Sequence, residues 1–167
     1  MPADFPVEAA AKRLNPYLFP GLERSPQIMR DLFALIPGDL LDVPTYPERF
    51  TPREVIAHLA DWESVLRDER LVEPARNPGC AVSAYDEGDR AIDRGYSGLD
   101  VATQLEIFAA ERAKTIAFLK GLDPEAWLAT MVHPERGEMT VSDVANSLVG
   151  HDAYHVEQLV HVIAPRS

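Results

Sequence analysis

The sequence predicts an all-α fold, a four-helix bundle, on three observations. Four segments of ~12–24 residues repeat apolar side chains at helical spacing. Capping residues open these segments and Pro or Gly closes them. No segment shows the sustained alternation of a half-buried strand. The 167 residues fit one domain spanning 1–167, and a hydrophobic content of 46% is ample for its core.

Residues 1–24 carry Pro2, Pro6, Pro16 and Pro20 and are expected to form an irregular N-terminal arm. The first helix is expected at Ser25-Pro26, a favoured cap followed by a residue whose missing N–H has no partner in a first turn. Ile28, Met29, Leu32, Phe33, Leu35 and Ile36 continue it until Pro37-Gly38. The second helix opens on Thr51-Pro52-Arg53-Glu54, a capping box in which the hydroxyl and the carboxylate each satisfy an orphan backbone N–H. Val55, Leu59, Trp62 and Leu66 form its inward stripe, and it reaches about Leu71. Residues 73–99 are turn-rich, with a short helix expected around Tyr85–Arg94. Asp100 caps the third helix, which carries Leu105, Phe108, Ile116 and Leu119 and closes at Gly121. A polar loop from His133 to Glu138 leads to Thr140, the cap of the last helix, which runs to about Ile163. No internal repeat or low-complexity tract is present.

Charge and length narrow the partners. Sixteen basic residues against 27 acidic ones give −11, a balance that phosphate backbones and anionic lipid repel, so nucleic acid and membrane surfaces are poor partners. No stretch free of Asp, Glu, Lys and Arg exceeds nine residues, against ~20 needed to span a bilayer. Met1-Pro2-Ala3-Asp4 lacks the basic and apolar regions of a signal peptide. A cytoplasmic location is the expectation. Cys80 stands alone, which leaves neither an intrachain disulfide nor a CxxC site.

The histidines carry the chemistry. In the last helix the apolar stripe runs Val144, Leu148, His151, His155, Leu159, Val162, so two histidines occupy seam positions where leucines are expected. His151 and His155 lie one turn apart on one face, the spacing at which two imidazoles share a metal ion. His58 lies on the inward stripe of the second helix, between Val55 and Trp62. With those two helices adjacent, three rings point into one interior. Buried unpaired imidazoles are costly, and a divalent cation relieves that cost by taking one lone pair from each neutral ring. Three protein ligands leave a position for water or substrate, as in catalytic rather than closed sites. His133, in a Pro-containing loop, is expected in solvent. His161 lies about 80° around the helix from His151, at a rim or an interface.

Asp61 and Gln158 each follow a histidine by three residues, so both are candidates to orient a ligand ring from behind. Tyr154 is a candidate proton donor at the pocket, against a packing role with its hydroxyl at the surface. Arg112, in the Glu111-Arg112 pair, is expected in a surface or interhelix ion pair.

The segment Phe50–Glu63 around His58, the Arg112 region and the run Gly150-His151-Asp152-Ala153-Tyr154-His155-Val156-Glu157-Gln158-Leu159 together resemble the DinB-like (DinB/YfiT) superfamily, from about Ser25 to Ile163. The resemblance implies a four-helix bundle of up-down-down-up topology and a divalent metal, zinc or nickel most often, on His58, His151 and His155. It also implies a homodimer. The family's thiol-dependent enzymes make a thiol S-transferase acting on small electrophiles the leading expectation, with a low-molecular-weight thiol as partner. The alternatives are a metal-dependent hydrolase or isomerase, and a stress-associated dimer in which the metal only holds the bundle together.

Overall fold

The computed structural model describes residues 15–164. Its four long helices are α1 (Leu18–Leu35), α2 (Pro52–Arg67), α5 (Val101–Lys120) and α6 (Val141–Ile163). A crossover joins α2 to α5. It continues α2 through a π-helical turn at Asp68–Val72 into α3 (Glu73–Arg76), then strand β1 (Cys80–Ala81) and helix α4 (Glu87–Arg94). Strands β2 (Thr130–His133) and β3 (Gly137–Thr140) form a hairpin just before α6. Among the described residues no helix is long and apolar enough to cross a membrane.

Contacts across the bundle fix the helix directions. Arg53 at the start of α2 donates to the Leu99 carbonyl at the start of α5 (3.1 Å), so these neighbours run parallel. Lys120 at the end of α5 pairs with Glu23 in α1 (2.6 Å), and Arg30 of α1 pairs with Glu106 of α5 (3.0 Å), which makes that pair antiparallel. Along α6, Leu148 packs with Leu66 of α2, whereas Leu159 packs with Ile56, so α2 and α6 are antiparallel as well. The order is therefore up-down-down-up, as the resemblance implies. Sequence neighbours α1 and α2 lie across the bundle from each other, and parallel α2 and α5 require the long crossover.

Local chemistry explains most helix ends. Thr51 and Thr140 each form a reciprocal capping box, with Glu54 and with Asp143. Asp86 caps α4 and Asp100 caps α5. Helix α4 ends at Gly95 with φ 62°, a left-handed conformation that costs glycine nothing.

Helix α1 departs from expectation. The proposed arm covers 1–24; its residues 1–14 lie outside the described residues, but Leu18 already begins the helix. Pro20 falls in the first turn, where its absent N–H is an orphan in any case. Ser25-Pro26 does not cap the helix and lies inside it. Pro26 leaves the Leu22 carbonyl without its usual donor, and the Ser25 hydroxyl supplies one instead (3.2 Å). The second departure is the sheet. The segment read as a polar loop forms most of the β2–β3 hairpin, whose turn ends at Gly137 with φ 73°, and β1 pairs parallel to β2. Met131 and His133 face inward, which is why His133 is buried rather than in solvent.

Among the described residues the core has two large apolar clusters and a small third one, Ala57 with Ala91 and Tyr96, where the crossover packs on α2. One large cluster gathers Leu22, Leu66, Leu119, Val144 and Leu148; the other gathers Met29, Ile56, Leu59, Phe108 and Leu159. A polar layer separates them, one residue from each helix: Ser25, Glu63, Arg112 and Asp152, all buried. Arg112 donates to both oxygens of Glu63 (2.8 and 2.9 Å), to both oxygens of Asp152 (2.5 and 2.9 Å) and to Ser25 Oγ (2.6 Å). Burial alone would lower the Arg112 pKa, but the Asp152 and Glu63 carboxylates raise it well above the ordinary arginine value. The ion pair is interhelical, and it lies in the interior rather than at the surface.

Candidate metal centre

The capping box at Thr51 sets the phase of α2 so that His58 faces inward beside Leu59 and Glu63. Helix α6, phased by its own capping box, brings His151 and His155 to meet it. His151 Nε2 lies 3.2 Å from His58 Nε2 and 3.2 Å from His155 Nε2. One ligand-capable atom from each of the three residues lies within 4.8 Å of the others. His58 and His155 are buried and His151 is partly exposed. The His58 ring is held between Phe50 (5.5 Å between centroids) and Trp62 (6.3 Å, nearly parallel), with Tyr96 at 6.4 Å.

The donor chemistry fits a divalent cation. His155 Nδ1 lies 2.8 Å from Gln158 Oε1, an acceptor, so its one N–H is spent there and Nε2 presents a lone pair to the cluster. His151 Nε2 can make one linear hydrogen bond to a neighbour, not two, so the three rings cannot satisfy one another. Two nitrogens at tetrahedral positions of a zinc ion are about 3.3 Å apart, from Zn–N of about 2.05 Å; the observed separations are 3.2 Å. All three rings are held neutral. Burial lowers His58 well below the usual histidine value, with His151 and His155 adding to it. Burial likewise lowers His151, and it brings His155 to about 4. The adjoining polar layer holds two carboxylates against one guanidinium, a buried net charge of −1 that favours a cation nearby.

Gln158 therefore orients His155, and its Nε2 donates to the Tyr154 hydroxyl (3.3 Å). Asp61 does not touch a histidine. Its carboxylate takes a bidentate pair from Arg90 of α4 (2.5 and 3.0 Å) and the Tyr96 hydroxyl (2.6 Å), both contributed by the crossover, so it braces Tyr96 beside His58. Tyr154 is about half exposed and lines the cleft. His161 stands apart, stacked on Tyr46 at 4.2 Å. His133 accepts from the Glu135 N–H at Nδ1 (3.2 Å) and takes no part in the cluster.

Of the trio, His151 lines a cleft of about 320 Å³ together with Tyr154, Trp62, Leu66, Arg70 and Arg136 among others, at the small end of the ~300–1,000 Å³ typical of small-molecule sites. Sequence reasoning missed Arg70 and Arg136, because the crossover and the hairpin bring them there. It also missed Glu63, although that residue lies four positions after Leu59 on the inward stripe, where an acid signals a buried partner.

A family model described as the DinB superfamily matches residues 21–159. The chain belongs to the DinB superfamily. A relative from Oceanobacillus iheyensis, named "Putative metal-dependent hydrolase OB0782", is 24% identical over 140 residues, covering 83% of this chain and 79% of its own. Among solved structures, YfiT from Bacillus subtilis superposes with a TM-score of 0.81 at 19% identity, over 97% of this chain and 90% of that one. Its description is a "probable metal-dependent hydrolase with an unusual four-helix bundle topology". The four-helix bundle protein TT2238 gives 0.61 at 21% identity, over 93% and 98%. At these identities the two structures establish the shared four-helix bundle fold.

Proposed function

We propose that this chain is a divalent-metal-dependent enzyme acting on small molecules, with His58, His151 and His155 as the ligands and hydrolysis as the reaction. The observation that carries the proposal is the convergence of three imidazole nitrogens, with the His151 ring lining an open cleft. Two relatives described as metal-dependent hydrolases support water as the nucleophile. A divalent cation in such a site polarises a carbonyl or phosphoryl oxygen and makes water or a thiol more acidic.

The chain's own residues do the rest. Gln158 holds His155 in the tautomer that offers Nε2. Trp62, Leu66 and Met139 exclude water from one side of a bound substrate. The Tyr154 hydroxyl, at the cleft and hydrogen-bonded to Gln158, is the residue placed to hand a proton to a leaving group. Cys80, the one cysteine, does not line the cleft, and burial and Glu73 raise its thiol above the ordinary value. A thiol S-transferase would therefore take its nucleophile from a second substrate.

The test is metal analysis of protein purified without a His tag, followed by an ester and amide panel on loaded and chelated protein. Hydrolysis by the loaded form without added thiol is the expected result. Turnover that appears only with a low-molecular-weight thiol and an electrophile would replace hydrolysis by S-transfer. Protein that binds no divalent metal would overturn the proposal as a whole.

A further inference from the structure

Arg70 is the anomaly among the buried charges. It is 8% exposed. Its Nη2 donates to the Ser83 carbonyl (2.8 Å), and its Nε is buried without a partner. Its guanidinium lies over Trp62, 5.1 Å from the ring centroid. It forms no ion pair with a described carboxylate, in a chain with 27 acidic residues, whereas buried Arg112 has two. The adjacent Glu69 is engaged elsewhere, accepting the Tyr85 hydroxyl at 2.7 and 2.9 Å. Arg136, on the β2–β3 turn, lines the same cleft and also makes no ion pair among the described residues. Exposed Glu87 lines the cleft too, without pairing to either arginine. Glu69 and Glu135 offset part of the charge on Arg70 from a distance, but neither forms an ion pair with it. Two guanidiniums at one cavity without a paired carboxylate favour an anion between them, and a buried donor without a partner is costly.

We infer that Arg70 and Arg136 form an anion-recognising end of the cleft, and that the substrate is a small organic anion with an apolar body. Its carboxylate or phosphate head would sit at the two arginines, whose planar donor forks suit either group. The body would lie on Trp62, Leu66 and Met139, and the reacting group would face His151. The inference rests on the metal-centre proposal only for that last placement.

The experiment is calorimetric titration of zinc-loaded protein with benzoate and with phenyl phosphate, and with benzamide as the neutral isostere. One of the anions is expected to bind about tenfold or more tightly than benzamide, and the tighter anion assigns the head group. Arg70→Gln and Arg136→Gln should each weaken it about tenfold while zinc content stays unchanged. Arg136 is exposed, so its variant serves as the readout if Arg70→Gln fails to fold. Equal binding of benzamide, no binding of either anion, or anion binding unchanged in Arg136→Gln would overturn the inference. Binding that His155→Ala abolishes and the arginine variants leave intact would place the anion on the metal, overturning the anion site but not the metal centre. Arginine-dependent binding that persists in protein unable to take zinc would sustain the anion site while the metal proposal fails.

Discussion

Arg112 grips both oxygens of Asp152, at 2.5 and 2.9 Å, one residue along α6 from the histidine whose Nε2 lies nearest both others. That pair fixes the depth and rotation of α6 against α5, and with Glu63 and Ser25 it ties all four helices at the level of the site. Arg112→Met would leave two buried carboxylates without a cation. A loss of about 3–5 kcal/mol in urea unfolding is expected. Adding Glu63→Leu and Asp152→Leu should recover most of it, since apolar replacement of a whole buried ionic cluster is often near neutral.

His155→Ala should strip the metal, whereas His161→Ala, which removes a ring stacked on Tyr46, should retain it. Elemental analysis after dialysis reads the difference. Equal metal content in the two variants would mean that the ligand assignment is wrong.

Gln158→Leu removes the acceptor that fixes the His155 tautomer. Metal affinity should fall ~10–100-fold, measured by competition with a chromophoric chelator. Gln158→Glu, which still accepts the Nδ1–H, should keep affinity near that of the parent. A Leu variant as tight as the parent would show that Gln158 merely packs.

Removal of the metal should cost stability as mass action requires. Metal at 100 times its Kd contributes about 2.7 kcal/mol, and chelation should lower Tm by several degrees. The same chelator should leave the Tm of His155→Ala where it is.

Burial raises the Asp61 carboxyl, but its hydrogen bonds from Arg90 and Tyr96 overcome that and hold it below the usual carboxylate range. A carboxyl lowered in the folded state stabilises above its unfolded pKa of ~3.9, and that contribution disappears as pH falls through the lower folded value. Asp61→Asn should therefore be less stable than the parent at pH 7, with the difference closing in strong acid. Urea midpoints across that range check it. A gap independent of pH would rule out this linkage.

Much of the site was legible because its causes are local. The two capping boxes set the phase of α2 and α6, and helical periodicity then put His58, His151 and His155 on inward faces. Gln158 was legible for the same reason, lying one turn beyond His155. Asp61 lies at the same spacing from His58, but α4 delivers Arg90 to it across a gap of 29 residues, and a charged partner outcompeted the imidazole. The start of α1 was hidden because Pro16 and Pro20 read as an irregular arm and Ser25-Pro26 as a helix start, whereas the Ser25 hydroxyl compensates for Pro26 inside the helix. The sheet was hidden by brevity: β1 has two residues, and β2 has four with a proline immediately after. His133 followed its strand into the interior.

The parallel run of α2 and α5 gives the molecule a division of labour. Antiparallel neighbours would need a tight turn, but parallel ones must send a connection back along the bundle, and here that connection is residues 68–100. The three histidines all come from the bundle, whereas Arg70, Glu87 and the brace on Asp61 come from the crossover and Arg136 comes from the hairpin. The imidazole cluster and the charged rim of the cleft are thus carried by separate stretches of chain. An exchange of residues 68–100 together with the 134–136 turn between DinB relatives becomes a way to change that rim while the three histidines stay in place, a modularity that a bundle with short turns does not offer.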